Sequence, residues 1–300
     1  MCDTVLVNDI QQQQRSRIND VLFEIHRDIS APLLASSLAK VAAYSEQHFH
    51  RVFKRVVGET VNVYIRRTRL EHAANQLMFD HKSNVLSIAE KCGFASLSSF
   101  SQSFKAAYQC TPAQWRNVGG HQAKPPYLSD PEIAAAYTRL KKHPLPEPEF
   151  ITLEKQYAAY VRHQGYGRSI RQAWQKLHAW AVENDIDVTQ QRDIGLHHSN
   201  PEWVPLDQCR YVACLSIDKA FVRRGAVNSL IIPGGLHAAF DLQGKYGELL
   251  PLIGKILNSW LPTSGFKLQT TPAFVRYRKN HFLSKDEQFD VRLFLPISLI

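Results

Sequence analysis

A glycine followed three residues later by a serine, each at the edge of a short amphipathic stretch, constrains the first third of this chain more than any other feature. Ser87-Ile-Ala-Glu-Lys-Cys-Gly93-Phe leads into Ser96-Leu-Ser-Ser-Phe-Ser-Gln-Ser-Phe-Lys105 and then Thr111-Pro-Ala-Gln-Trp-Arg116. Gly93 suits the left-handed conformation that closes a helix, and Ser96 suits the cap of the next one. On that next helix Leu97, Phe100, Phe104 and Ala107 fall at helical spacing and are expected to face a core. Ser98, Gln102 and Lys105 fall on the other side. A short helix that is polar and cationic outside, packed at a sharp angle after a glycine turn, fits a DNA major groove.

The same logic occurs once before. Leu34 to Ala42 reads as a supporting helix, Ser45 as the cap of a second, and Gly58 as its stop. Phe49, Val52, Phe53 and Val56 form its apolar stripe at i, i+3, i+4, i+7. Gln47, His50, Arg51 and Lys54 occupy the opposite face. Between the two units runs a long helix, Val61 to Phe79, with Arg66, Arg67 and Arg69 near its start. Those arginines are open to either DNA contact or structural ion pairs, the latter favoured for Arg69. Ahead of the first unit, a helix from about Arg17 to Arg27 is expected to pack on it through Ile18, Val21, Leu22 and Ile25. Residues 1–16 are expected to be a loose arm.

These residues carry a resemblance. From about Ile18 to Asn117 the chain resembles the AraC/XylS family of transcription regulators. The strongest parts are Tyr64-Ile-Arg-Arg-Thr-Arg-Leu70 with Ala73, and Gly93-Phe94 through Phe104-Lys105 to Thr111-Pro112 and Trp115-Arg116. Two positions depart from the family pattern: Gln109 stands where a glycine is common shortly before Thr-Pro, and Leu97 stands where a polar residue is usual. The resemblance implies that Gln47, His50 and Arg51 occupy base-reading positions. Arginine can bond guanine, and glutamine adenine, through two hydrogen bonds. Lys54, Arg55 and Lys105 are expected on phosphates, which orient without specifying sequence. Ser98, Ser99 and Gln102 are short or uncharged, hence weaker readers.

Charge agrees with a polyanionic partner but does not locate it. The 300 residues carry a formal net charge of +9 and a pI near 9.3, a balance that favours nucleic acid. Local clustering is sharper: residues 45–69 hold six Lys/Arg against two Glu. Five scattered cysteines without a CxxC spacing read as reduced thiols in a cytoplasmic protein. The polar N-terminal stretch, with Gln11 to Gln14 in a row, does not read as a signal peptide. No apolar run approaches the ~20 residues of a membrane span, so no membrane partner is expected. The thirteen histidines form no metal set, and no cofactor motif is present.

After Asn117 the composition shifts. Gly119-Gly120, Pro125-Pro126, Pro144, Pro146 and Pro148 frame a polar segment that reads as a linker, with a short helix inside it from Pro131 to Lys142. From about Phe150 the pattern mixes strand and helix. Tyr157 to His163 reads as a strand, Gly165-Tyr-Gly167 as a turn, and Ser169 to Val182 as a helix with Ile170, Ala173, Trp174, Leu177 and Trp180 inward. Asp193 to His197 and Arg210 to Ile217 read as strands.

This unit recurs at an offset of 79 to 80 residues. Gln164-Gly165-Tyr166-Gly167 is echoed by Gln243-Gly244-Lys245-Tyr246-Gly247, Trp180 by Trp260, and Arg210 to Ile217 by Asp290 to Ile297. Two copies cannot form a solenoid. They can pair about a pseudo-two-fold axis, each giving strand–helix–strand–strand to one sheet, with a cleft along the axis.

Residues 150–300 resemble the GyrI-like effector-binding domain, through Gly165-Tyr-Gly167, Trp174, Trp180, Asn200-Pro-Glu-Trp203-Val-Pro205 and the final Leu295-Pro296 strand. The resemblance implies a groove for small molecules, often hydrophobic cations. Tyr160, Tyr166, Trp174, Trp203, Phe240, Tyr246, Tyr277 and Phe294 are candidate groove aromatics. Many relatives place an acid in the last strand; here Arg292 stands there, and two outcomes are open: an acid such as Asp290, on the same strand face, neutralises it, or the groove prefers an anionic or neutral aromatic ligand.

The expectation is thus a multidomain chain. An all-α domain with two helix-turn-helix units (1–117) is joined by a linker (118–149) to an α+β domain of two strand–helix–strand–strand repeats (150–300). Its expected function is transcription regulation through a double-stranded operator DNA, a small-molecule effector and RNA polymerase. The alternative is a small-molecule hydrolase, as a few GyrI-like domains are. No catalytic triad supports it, so no enzyme activity is expected.

Overall fold

The computed structural model describes residues 2–80, 82–118, 125–221, 227–269 and 271–299. The chain divides into two compact units.

The first unit is helical: α1 Cys2–Arg27, α2 Ala35–Val41, α3 Glu46–Val57, α4 Val61–Phe79, α5 Val85–Lys91, α6 Leu97–Tyr108 and α7 Pro112–Val118. Caps set these bounds. Side-chain oxygens of Ser45, Thr60, Asn84 and Ser96 accept the backbone N–H three residues on, at the starts of α3, α4, α5 and α6. Gly58 ends α3 in the left-handed region at φ 90°. Gln109 does the same for α6 at φ 60°; a residue that is not glycine supplies the turn, and its side-chain amide donates to the Ala106 carbonyl at 3.1 Å. The N-terminal arm expected over residues 1–16 is instead the first half of α1. Its polar residues carry no apolar period, but glutamine and arginine are good helix formers and extend a helix already nucleated by Ile18 to Ile25.

One core joins α1 to α4: Ile18, Val21 and Ile25 pack with Leu38, Phe49, Val52, Phe53, Val61 and Tyr64. In the second helix-turn-helix, Phe100 and Phe104 are fully buried, and α7 pins α6 to α4 through Trp115. Its ring packs on Phe104 and Tyr108, and its indole N–H donates to the Ala74 carbonyl at 3.2 Å. Leu97 and Ala107, expected inward, are exposed, Leu97 at 42%. They sit at the two ends of α6, beyond the reach of the helices that cover its middle.

The arginines of α4 divide. Arg67 is tied to Glu59 and to buried Glu71. Among the described residues Arg69 forms no ion pair; its guanidinium donates to the backbone carbonyls of Ile29 at 3.0 Å and Ala31 at 2.8 Å. Arg66 is exposed.

The second unit holds α8 Pro131–Leu140, α9 Arg171–Glu183, α10 Leu249–Lys255 and nine strands: β1 Glu149–Leu153, β2 Gln156–Gln164, β3 Asp193–His197, β4 Arg210–Ile217, β5 Asn228–Ile232, β6 Gly235–Lys245, β7 Phe266–Leu268, β8 Ala273–Lys279 and β9 Gln288–Leu299. The sheet runs β1-β6-β9-β8-β3-β4-β2-β5, with β7 added on β9. Reading out from the β3–β8 pair, β4 and β2 on one side mirror β9 and β6 on the other, so the repeats meet about a pseudo-two-fold axis.

Each repeat opens with a strand that was not expected, and the second also adds β7. β1 lies beside β6 and β5 beside β2, so the strand that opens each repeat is exchanged onto the other. Helices α9 and α10 cover one face of the sheet. On α9 the inward stripe is Ala173, Trp174, Leu177 and Ala181, all buried; Trp180 is only half-buried, because Ala181 follows Leu177 at i+4. Cys92, Cys209 and Cys214 are buried free thiols and Cys110 is half-buried; burial pushes Cys92 up to about 12 and also raises Cys110 and Cys214, so these sulfurs stay protonated.

Candidate nucleic-acid interface and ligand cleft

The stripe of Phe49, Val52 and Phe53 turns the other face of α3 outward. Gln47, Arg51, Lys54 and Arg55 are exposed and His50 half-buried. Among the described residues no hydrogen bond or ion pair engages the side chains of Gln47, Arg51 or Lys54, which leaves their donors available. His50 lies 3.9 Å from Glu46 one turn earlier. Arg55 donates to Gln14 of α1 at 2.5 Å; the amide is neutral, so its charge is not cancelled. On α6 Ser98, Ser99, Gln102 and Lys105 are exposed. Ser99 is spent locally: its hydroxyl donates to the Ser96 carbonyl at 3.0 Å.

In the second unit a cleft opens on the helix-covered side, where the two repeats meet. It encloses roughly 410 Å³ of space, part of it open to solvent. Its walls come from equivalent positions of both repeats: the Tyr166-Gly167 turn from one and Tyr246-Gly247 from the other. Ile133 of α8 closes one side. That helix is fastened to α10 by an Arg139–Glu248 ion pair and by Lys255, whose ammonium donates to the carbonyls of Leu140 and Lys141 at 3.1 and 3.0 Å.

His197 and Tyr277 share the cleft, and they too are equivalent in the two repeats. Behind them the hydroxyls of Tyr211 and Tyr277 meet at 3.1 Å. Tyr211 crosses β3 to do so, and a Cβ on Gly195 would overlap its hydroxyl. His281, Phe282, Ile170, Leu249 and Leu250 complete the lining. Nε2 of His197 and Nδ1 of His281 are buried without a hydrogen-bond partner, and burial lowers both imidazoles to about 4. They are therefore neutral at pH 7. Among the described residues no charged side chain lines the cleft.

Charge gathers at its mouth. Arg168 lies over the Tyr246 ring at 3.8 Å and pairs with Glu132 at 3.1 Å and Glu287 at 2.7 Å. Glu287 is held below the usual carboxylate range by Arg168, with Arg171 nearby.

The sequence-derived ligand candidates divide between the two faces of the sheet. Tyr166, Tyr246 and Tyr277 line the cleft; Trp174 is fully buried behind it, edge-on to Tyr277 at 5.6 Å. Phe240 packs under the helical layer on Trp260 at 5.0 Å, and Trp203 is half-buried in the loop after β3. Register puts Arg292 opposite Arg276 and Phe294 opposite Phe274. Tyr277, one residue from Arg276, points to the other face. Arg292, Phe294 and, through the pairs Arg276–Ile194 and Ile194–Cys214–Tyr160, Tyr160 therefore lie on the face away from the cleft. The acid expected to neutralise Arg292 was Asp290. Instead Arg292 pairs with Glu149 of the exchanged strand β1, and Asp290 is taken by Arg278 at 2.5 Å. His197 and His281 escaped the sequence reading, although His197 stands at the repeat offset from Tyr277.

The chain belongs to the AraC-type regulators that carry a GyrI-like domain: residues 38–117 match the helix-turn-helix domain family and residues 146–298 the GyrI-like small molecule binding domain. It is similar over most of its length to the transcriptional regulator Rob of Salmonella typhimurium, with 25% identity over 291 residues covering 88% of this chain and 96% of that protein. The right origin-binding protein of Escherichia coli K12 is 26% identical over 293 residues, with the same coverage of 88% and 96%. The Transposon Tn10 TetD protein of Escherichia coli is 38% identical over 108 residues, 36% of this chain and 78% of that one. No described helix is long and apolar enough to cross a membrane.

Proposed function

We propose that this protein regulates transcription by inserting α3, with support from α6, into successive major-groove segments of an operator. Effector binding takes place in the cleft between Tyr166 and Tyr246. The observation that carries the DNA reading is the outward face of α3, where Gln47, Arg51 and Lys54 have no intramolecular partner among the described residues while Phe49, Val52 and Phe53 are buried beneath them. Gln47, His50 and Arg51 read bases. Lys54, Arg55 and Lys105 hold phosphates, and Ser98, Ser99 and Gln102 make the lesser contacts of the second unit. RNA polymerase is the partner through which a bound regulator acts, in the cytoplasm. Selection of bound duplexes from a random pool, with the full chain, tests the reading; a pool that stays unenriched at moderate salt overturns it.

The role proposed is non-catalytic. Burial makes the cleft's two imidazoles weak bases, and among the described residues no carboxylate lines the cleft to raise their basicity. Turnover of an ester or epoxide panel by the purified chain, abolished by His281→Asn, would contradict that.

A further inference from the structure

A buried imidazole nitrogen without a partner is costly, because it has lost water and gained nothing. The cleft holds two of them. His197 Nε2 and His281 Nδ1 are both buried and unpartnered, and His281 is only 5% exposed. The surrounding wall is aromatic and apolar, with Tyr166 and Tyr246 facing inward from the two repeats. The polar groups are thus few and fixed, as in sites that orient a small molecule.

Charge complementarity decides what that molecule is. A buried carboxylate would attract a cation where screening is weak, but none lines this cleft. The nearest acids, Glu132 and Glu287, are at the mouth and are bound by Arg168, and Arg171 adds a second cation beside Glu287. Asp130 also acts on Tyr246 there, so the charges of both signs lie at the mouth and not in the lining. Arg292, which could have favoured an anion, lies on the far face of the sheet and is paired with Glu149. Neither sign of ligand charge finds a counter-ion inside.

We propose that this cleft takes an uncharged, planar aromatic molecule bearing hydrogen-bonding groups, stacked between the Tyr166 and Tyr246 walls and bonded to the free ring nitrogens of His197 and His281. The proposal rests on reading the cleft as the effector site. A neutral imidazole offers one donor and one acceptor, so an amide, lactam or phenol satisfies both nitrogens without moving a proton.

Three probes of one ring system test this on the full chain: 2-naphthamide, 2-naphthoate and 2-naphthylmethylammonium, titrated by calorimetry at pH 7.5. The amide should bind at least tenfold more tightly than either ion. His281→Leu with His197→Leu should weaken it tenfold or more, whereas His281→Asn with His197→Gln, which restore polar atoms near the Nδ1 and Nε2 positions, should recover most of the loss. Unchanged circular dichroism and DNA affinity would show that the variants fold. An ammonium probe that binds as tightly as the amide, and is lost in Tyr246→Ala, overturns the ligand class while leaving the cleft as the effector site. If none of the three binds, the ligand class and the cleft as effector site fail together.

Discussion

The guanidinium of Arg69 fills the space that a side chain on Gly93 would need. A Cβ there would lie 2.7 Å from its Cζ. From that position Arg69 reaches the carbonyls of Ile29 and Ala31, so the turn of the second helix-turn-helix, the bridging helix and the loop after α1 are locked through one side chain. Gly93 is also left-handed, at φ 78°. Gly93→Ala should therefore cost about 2–4 kcal/mol, from backbone strain plus displaced charge-assisted hydrogen bonds. Gly58→Ala has similar φ, 90°, but nothing within 4 Å of its Cβ, and should cost about 1 kcal/mol. Urea denaturation of both variants separates the two contributions; equal losses would mean that Arg69 moves aside freely.

Arg51 and Lys54 should fail in different ways. Arg51→Ala is expected to cost about 1–3 kcal/mol and relax preference at one base position. Lys54→Ala should weaken all duplexes alike and lower the salt slope by about one. Competition binding on a substitution series across the selected site, repeated at several salt concentrations, reads both.

The second helix-turn-helix should carry less sequence information than the first. Its outward face presents Leu97 at 42% exposure and a serine already bonded to its own cap. Aligned sequences from duplex selection should show one strongly and one weakly constrained half-site. Two equally constrained halves would count against the assignment.

Gln109 holds a left-handed turn at φ 60° without being glycine. Gln109→Gly relieves that strain and should stabilise the chain by up to about 1 kcal/mol, seen as a later urea midpoint with no change in DNA affinity.

The cleft histidines make the second unit acid-sensitive. An unfolded chain protonates His197 and His281 below pH 6.5, the folded one only below about 4. The unfolded state thus binds more protons across that window. Stability from these groups is fully present above pH 6.5 and lost as pH falls from 6.5 to 4, by at most about 3 kcal/mol per histidine. Glu287 opposes the shift at His281, while His197 reinforces it. Denaturation followed by tryptophan emission between pH 7.5 and 4.5 should show the decline, and His197→Gln with His281→Asn should flatten it.

Much of this molecule was legible from local chemistry. Ser45, Gly58, Ser96 and the Phe49 stripe fixed the first unit because caps and amphipathic period act within a turn or two of chain. The 79–80-residue repeat foretold the paired halves of the sheet. What escaped depends on distant pairing. The strand exchange of β1 and β5 has no local signature. The face on which Arg292 and Phe294 lie follows from register, and a slip of one residue in reasoning about a strand reverses the face. Arg69 read as an ion-pair former because its partners are carbonyls of a loop 38 to 40 residues away, which carry no side-chain signal. Of the cleft histidines, His197 was visible only as the repeat-mate of Tyr277.

The place of β9 in the sheet has a consequence for the order of synthesis. This strand, Gln288–Leu299, lies between β6 and β8, so the half-sheet nearest it cannot close until β9 itself has been translated. The helices α2 to α7, by contrast, end by Val118. The helices therefore emerge from the ribosome well before the sheet is closed, and a premature stop in the last strand is expected to spare them while leaving β6 and β8 without the strand that joins them.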